Sequence, residues 1–179
     1  MRLVALLLCL ASIPIAHADS VSGFCERDGT KLTFTDGIAF ADARDSDGTL
    51  TTTIYLTAKP IDRKALAACV ACGAELPENT FLSPRGDLVE AQRTATAEGW
   101  VELAHVGGEL DMTTIVNIMH LASDGVLTGL DGGNGRVDID SIDDKRVVGH
   151  LTSEDRGEGY NQTDMRCDVR FELAVGWPK

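Results

Sequence analysis

Residues 164–175, DMRCDVRFELAV, alternate without a break. Met165, Cys167, Val169, Phe171, Leu173 and Val175 fall on one side, and Asp164, Arg166, Asp168, Arg170 and Glu172 on the other. Successive side chains of a strand point to opposite faces, so the pattern predicts a β-strand with one buried and one wet face. It also aims Cys167 into the core. Near the other end, SVSGFC (20–25) puts Val21, Gly23 and Cys25 on one side of a first strand. A bond between Cys25 and Cys167 then ties the two terminal strands together, and closing so long a loop contributes about 5 kcal/mol in the chain-entropy model.

The same period recurs inward from both ends. In KLTF (31–34), Leu32 and Phe34 face inward, and TDG (35–37) reads as a turn into GIAFADA. DSDG (45–48) is the next turn. LTTTIYLT (50–57) places Leu50, Thr52, Ile54 and Leu56 on a buried face and Thr51, Thr53, Tyr55 and Thr57 on an exposed one. The final third reads as hairpins: GVLTGLDG, RVDIDSID and RVVGHLTSE, with DGGNG (131–135) and DDK (143–145) as turns. No period of 20 to 50 residues marks a repeat array. The fold class that follows is mainly β: an antiparallel β-sandwich or barrel of short strands, with one or two short helices, braced by disulfides.

The middle carries the helical signals. In KPIDRKALAACVACGAELP (59–77), Asp62 caps a helix, Leu66 and Val70 share a face, and Gly73 and Pro77 end it, with the cysteines in the last turn. LVEAQRTATAEG (88–99) fits a helix or an exposed strand equally. WVELAHVG, from residue 100, reads as a strand. MTTIVNIMHLA (112–122) offers a helical stripe of Ile115, Ile118, Met119 and Ala122 against a β-branched content that favours a strand, and we read it as a helix.

The N-terminus sets the compartment. MRLVALLLCLASIPIAHA has one Arg, a short apolar run and small residues at Ala16 and Ala18, the pattern of a signal peptide at 1–18, cleaved to leave a single β-rich domain at 19–179. The run is too short to span a bilayer. Cys9 follows Leu8 where a lipoprotein signal wants a small residue, so lipid attachment is not expected. Cleavage removes one basic residue from a chain with 16 basic and 28 acidic residues. Such a surface repels nucleic acid and anionic lipid and attracts basic proteins. The expected location is periplasmic or secreted.

Beyond the leader stand Cys25, Cys69, Cys72 and Cys167, an even set bound for an oxidising compartment, where disulfides are the default. Three pairings are open. A redox C-x-x-C lowers its thiol pKa at a helix N-terminus, but this one lies at a helix end. A zinc site wants two such units. The most economical pairing is therefore Cys69 with Cys72 and Cys25 with Cys167, with a bond from Cys25 or Cys167 to the C-x-x-C as its competitor.

The richest polar cluster is DGGNGRVDIDSIDD (131–144), whose Asp131, Asn134, Asp138 and Asp140 are the candidate binding residues. It departs from the calcium-binding EF-hand, because Gly133 and Gly135 stand where oxygen ligands belong, so no cofactor is expected and calcium is the one metal considered. His105, His120 and His150 show no ligand spacing and no nucleophile motif. Two Trp, two Tyr and five Phe are too few for a sugar platform. NQT (161–163) is a glycosylation sequon. Two functions remain. The first is an exported non-enzymatic binding protein, an inhibitor or immunity-type partner of a cationic cell-envelope hydrolase. The alternative is a small secreted hydrolase or calcium-binding sandwich module using the Asp131 to Asp144 cluster with His150 or His120.

Overall fold

Alternating sequence builds strands, and ten of them form in the computed structural model, which describes residues 18–27, 29–44, 50–73, 84–95, 99–106, 114–121, 127–131, 135–153 and 166–179. In chain order they are β1 (Ser20–Arg27), β2 (Thr30–Phe34), β3 (Asp36–Arg44), β4 (Leu50–Thr57), β5 (Trp100–Val106), β6 (Thr114–Leu121), β7 (Leu127–Asp131), β8 (Gly135–Ile142), β9 (Arg146–Ser153) and β10 (Arg166–Ala174). Two helices, α1 (Arg63–Ala67) and α2 (Pro84–Ala95), and a 3-10 turn at Val70–Gly73 lie between β4 and β5. The signal-peptide segment up to residue 17, the DSDG turn, Asn134 and the NQT sequon lie outside the described residues.

The strands divide into two antiparallel five-stranded sheets, ordered β2-β1-β10-β9-β8 and β3-β4-β5-β6-β7. They stack as a sandwich and do not close into a barrel. Between them lie Cys25, Phe34, Val147, Leu151, Cys167, Val169, Phe171 and Leu173 of the first sheet against Ala39, Ile54, Leu56, Val101 and Leu103 of the second. At about 25 cal/mol per Å² of apolar surface, this continuous core is the main source of stability.

The second sheet is a meander in sequence order. The first is assembled from the two ends of the chain, which meet where β1 pairs with β10. Cys25 faces Cys167 directly in that register, and the two are joined by a disulfide across 142 positions of sequence. Next to this seam, Gly23 adopts φ +129°, and a side chain there would meet the Asp168 carbonyl oxygen at 2.0 Å. Only glycine lets the strands approach so closely.

Several expectations are corrected by the fold. TDG (35–37) is not a hairpin turn: only Thr35 separates β2 from β3, and the chain passes there from one sheet to the other. DGGNG (131–135) likewise joins β7 to β8, which belong to different sheets and do not pair. Residues 112–122 are not helical. β6 occupies Thr114–Leu121, paired on both sides by β5 and β7, and its β-branched residues override the helical stripe. Finally, β4 is buried on both faces, with Thr53, Tyr55 and Thr57 as inaccessible as Ile54 and Leu56.

The reason lies on the far side of the second sheet. There Ile38, Phe40, Tyr55 and Trp100 pack against Ile61, Leu66 of α1 and Val89 of α2, with Leu88 and Trp177 at the margin. Asp62 caps α1, its carboxylate accepting from the Ala65 N–H at 3.0 Å. The helix stops at Ala67, so Val70 does not share Leu66's buried face but stands 93% exposed. The C-terminal tail closes the layer: Trp177 meets the Phe40 ring edge-on at 5.0 Å and donates from Nε1 to the Leu66 carbonyl at 3.2 Å.

The edge of this sheet at β3 is sealed as well. Its successive outward carbonyls, Gly37, Ala39 and Ala41, accept from Arg63 Nη2 at 2.7 Å, the Gly176 N–H at 2.8 Å and Arg85 Nη1 at 2.6 Å. Asp36 fixes the corner, with its carboxylate oxygens 2.8 Å from Arg63 Nη1 and Nη2 and accepting from the Ile61 N–H at 2.7 Å. Burial raises its pKa, but the hydrogen bonds from Arg63, Ile61 and Gly37 outweigh that effect and leave the carboxyl below its ordinary value.

Candidate functional site

The outward face of the first sheet is where the alternation of β1, β8, β9 and β10 delivers polar side chains. Each of these strands buries one set of residues in the sandwich and turns the other to solvent. No described helix covers that second set. It includes Ser20, Ser22 and Phe24 of β1, Asp138 and Asp140 of β8, His150 of β9, and Arg166, Asp168, Arg170 and Glu172 of β10.

The register sets their order. Ser22, Arg170, His150 and Asp138 lie in one row across β1, β10, β9 and β8. Phe24, Asp168 and Thr152 form the next row. His150 reaches diagonally, bringing Nε2 to 2.7 Å from Asp168 Oδ1. That contact, assisted by the charges of Arg170 and Arg166, holds the Asp168 carboxyl below the usual carboxylate range. Arg146 and Glu172 form a second cross-strand pair, with Nε to Oε1 at 2.8 Å. Phe24 carries Lys31 Nζ at 3.8 Å and the Arg166 guanidinium at 5.8 Å over its ring.

Between these pairs lies a shallow depression of about 180 Å³, lined by Ser20, Ser22, Asp140, Val148, Arg170 and Glu172 over the backbone of Gly149 and Phe171. Small residues on β1 and β9 create it amid longer ones on β10. A register shift between Ile139 and Ser141 places Asp140 on a bulge at its rim.

Exposed carboxylates gather at the β8 border of this face, and both signs mix over the rest. Lys31, Arg166 and Arg170 stand toward β1 and β2. Asp138, Asp140, Asp143 and Asp144, all exposed, run down β8 and round the β8–β9 turn. Asp143 works within the fold: its Oδ1 accepts from the Lys145 and Arg146 N–H groups at 2.7 and 2.8 Å, which lowers its pKa. Asp138 and Asp140 point out from the strand as the alternation predicts, beside the turn. Asp131 ends β7 in the other sheet, so the four candidate binding residues are not shown to share one site, and the side chains of Asp131 and His120 lie outside the described residues.

Among the described residues, no three His, Cys, Asp or Glu converge as metal ligands. The described carboxylates of the Asp131 to Asp144 segment are instead spread along a strand and its turn. His105 is fully buried. The partner of His150 is Asp168, on the neighbouring strand, rather than a carboxylate of the cluster. Asp168, Arg170 and the two serines escaped the reading by motif. Their signal was present, because pairing Cys25 with Cys167 sets the β1–β10 register and thereby predicts which outward residues adjoin.

The C-x-x-C lies on the opposite side of the sandwich. Cys69 follows the α1 cap and is joined to Cys72 within the 3-10 turn. Cys69 is half-buried and Cys72 buried, and the Cys72 carbonyl accepts from Arg85 Nε at 2.7 Å. No helix of the described residues is long and apolar enough to cross a membrane. Compared with known proteins, the chain matches no family model, and neither a curated protein nor a solved structure is detectably similar to it.

Proposed function

We propose that this is an exported, non-enzymatic binding protein that engages a cationic extracytoplasmic protein through the carboxylate ridge of β8 and its turn, as an inhibitor or immunity-type partner of a cell-envelope hydrolase. The observation that carries the reading is the contrast in cover: helices and tail bury the outer face of β3, β4 and β5 in one sheet, while Asp138, Asp140 and Asp144 stand exposed at the margin of the other. A row of carboxylates on a rigid strand, in a chain of net charge −12, steers a basic partner and orders its approach.

Export supports the same reading. Both disulfides suit an oxidising compartment. The expected cleavage after Ala18 leaves Asp19 as the first residue, and its carboxylate accepts from the Ala174 N–H at 2.8 Å, so the expected new N-terminus is tied to β10.

The test is capture and identification of basic proteins from the extracytoplasmic fraction by the mature protein at rising salt. Binding should weaken steeply with ionic strength and fall in the Asp138→Asn/Asp140→Asn/Asp144→Asn variant, with the circular dichroism spectrum unchanged. Equal capture by that variant, or indifference to salt, would overturn the proposal. A second reading, a small secreted hydrolase, rests on the 2.7 Å contact between His150 and Asp168. It predicts ester or amide hydrolysis that disappears in His150→Gln, and activity that survives this substitution would remove it.

A further inference from the structure

The two disulfides differ in every property that governs exchange. Cys25–Cys167 lies in the core between the sheets, with the two residues 0% and 4% exposed, and it closes most of the chain. Cys69–Cys72 closes a loop of three positions at the surface. Loop-closure stabilisation grows with the logarithm of loop length, so the short bond adds the less to stability. Exposed disulfides are also the readily reduced ones.

The short bond is asymmetric. Cys69 is half-buried, whereas Cys72 is 1% exposed. An attacking thiolate therefore meets Cys69, and Cys72 is the sulfur that leaves. Arg85 donates from Nε to the Cys72 carbonyl, which places a guanidinium against the backbone of the residue whose sulfur leaves. A neighbouring cation lowers a thiol pKa and speeds its departure. Between the two cysteines, Val70 stands 93% exposed with exposed Ala71 beside it and exposed Ala68 just before the loop, a rigid apolar tip against which a thiol-bearing partner can rest.

We propose that Cys69–Cys72 is a thiol–disulfide exchange site, reduced by an external dithiol while Cys25–Cys167 stays closed. A thiolate of the dithiol attacks Cys69 Sγ, and the Cys69–Cys72 bond breaks with its electron pair passing to Cys72 as thiolate. The dithiol's second thiolate then attacks its own sulfur in the mixed disulfide, releasing the Cys69 thiolate. The dithiol ends as a disulfide, and the protein has gained two electrons and, on protonation, two protons.

The experiment treats the folded mature protein with reduced glutathione, or with a thioredoxin-class dithiol protein, then alkylates and maps the cysteines by mass. Cys69 and Cys72 should be labelled while Cys25 and Cys167 remain joined, and Cys72→Ser treated with oxidised glutathione should hold glutathione on Cys69, releasing one reduced glutathione. Arg85→Gln should slow exchange by about tenfold and Arg85→Lys should restore it, as expected for a charge effect on the leaving sulfur. Exchange with both reagents marks a site open to any thiol. Exchange with the dithiol protein alone, lost in Val70→Lys, marks one that is reached by docking. Labelling of Cys69 and Cys72 only when Cys25 and Cys167 are labelled too, as on global unfolding, would overturn the proposal.

Discussion

The two sheets solve the same problem in opposite ways. β3 to β7 pair in the order in which they are made, and the outer face of β3, β4 and β5 is roofed by α1, α2 and Trp177. β1, β2, β8, β9 and β10 must find one another across most of the chain, and they leave their outer face to water. The first arrangement pairs each strand with the next one in the chain and relies on burial on both sides of β4. The second carries a covalent tie at the seam where the termini meet. Long-range pairing costs loop entropy before it returns any contact, and that is the term a cross-link removes. The proposed binding surface therefore falls on the sheet whose stability depends least on cover.

The sharpest way to break this comparison is to remove the tie. The Cys25→Ala/Cys167→Ala variant should lose about 5 kcal/mol of unfolding free energy, read from urea melts. Loss of the short bond in Cys69→Ala/Cys72→Ala should cost far less. Next comes the roof: Phe40→Ala, fully buried between the second sheet and Trp177, should cost about 3–5 kcal/mol. Its signature is loss of Trp177 fluorescence anisotropy along with stability.

A smaller effect is expected at the corner between the sheets. Asp36→Asn removes a charge-assisted pair with Arg63, worth about 1.5–2 kcal/mol. Because the native Asp36 pKa lies below its unfolded value, that contribution is present at neutral pH and fades as pH falls through the native value. The stability difference between wild type and variant should accordingly shrink on acidification below about pH 4. Smallest of all, Asp138→Asn and Asp140→Asn should change stability by less than about 0.5 kcal/mol, because both side chains are exposed, while slowing association with a basic partner.

How much of this could be read from sequence follows the same division. The first sheet was legible: β10 alternates so cleanly that its core residues, its outward charges and the direction of Cys167 all follow from period two. The second was legible only in part. Thr51, Thr53, Tyr55 and Thr57 look like a solvent face because threonine tolerates both environments, and nothing local in β4 announces that α1 and α2 will cover it. The 112–122 segment misled for a related reason: Ile115, Ile118 and Met119 fit a helical stripe, and the partners on both sides that make it a strand are remote in sequence. Val70 was misplaced because α1 ends one turn earlier than its apolar spacing suggests. At the candidate site, the outward direction of Asp138 and Asp140 was legible, but the His150–Asp168 contact depends on strand adjacency, which no short motif encodes.

The capped carbonyls of β3 reach beyond the single molecule. With Arg63, Arg85 and the Gly176 amide occupying that border, the second sheet has at most one growing end, at β7. Copies that join there can pair once and then stop, so this sheet has no route to a filament even at high protein concentration.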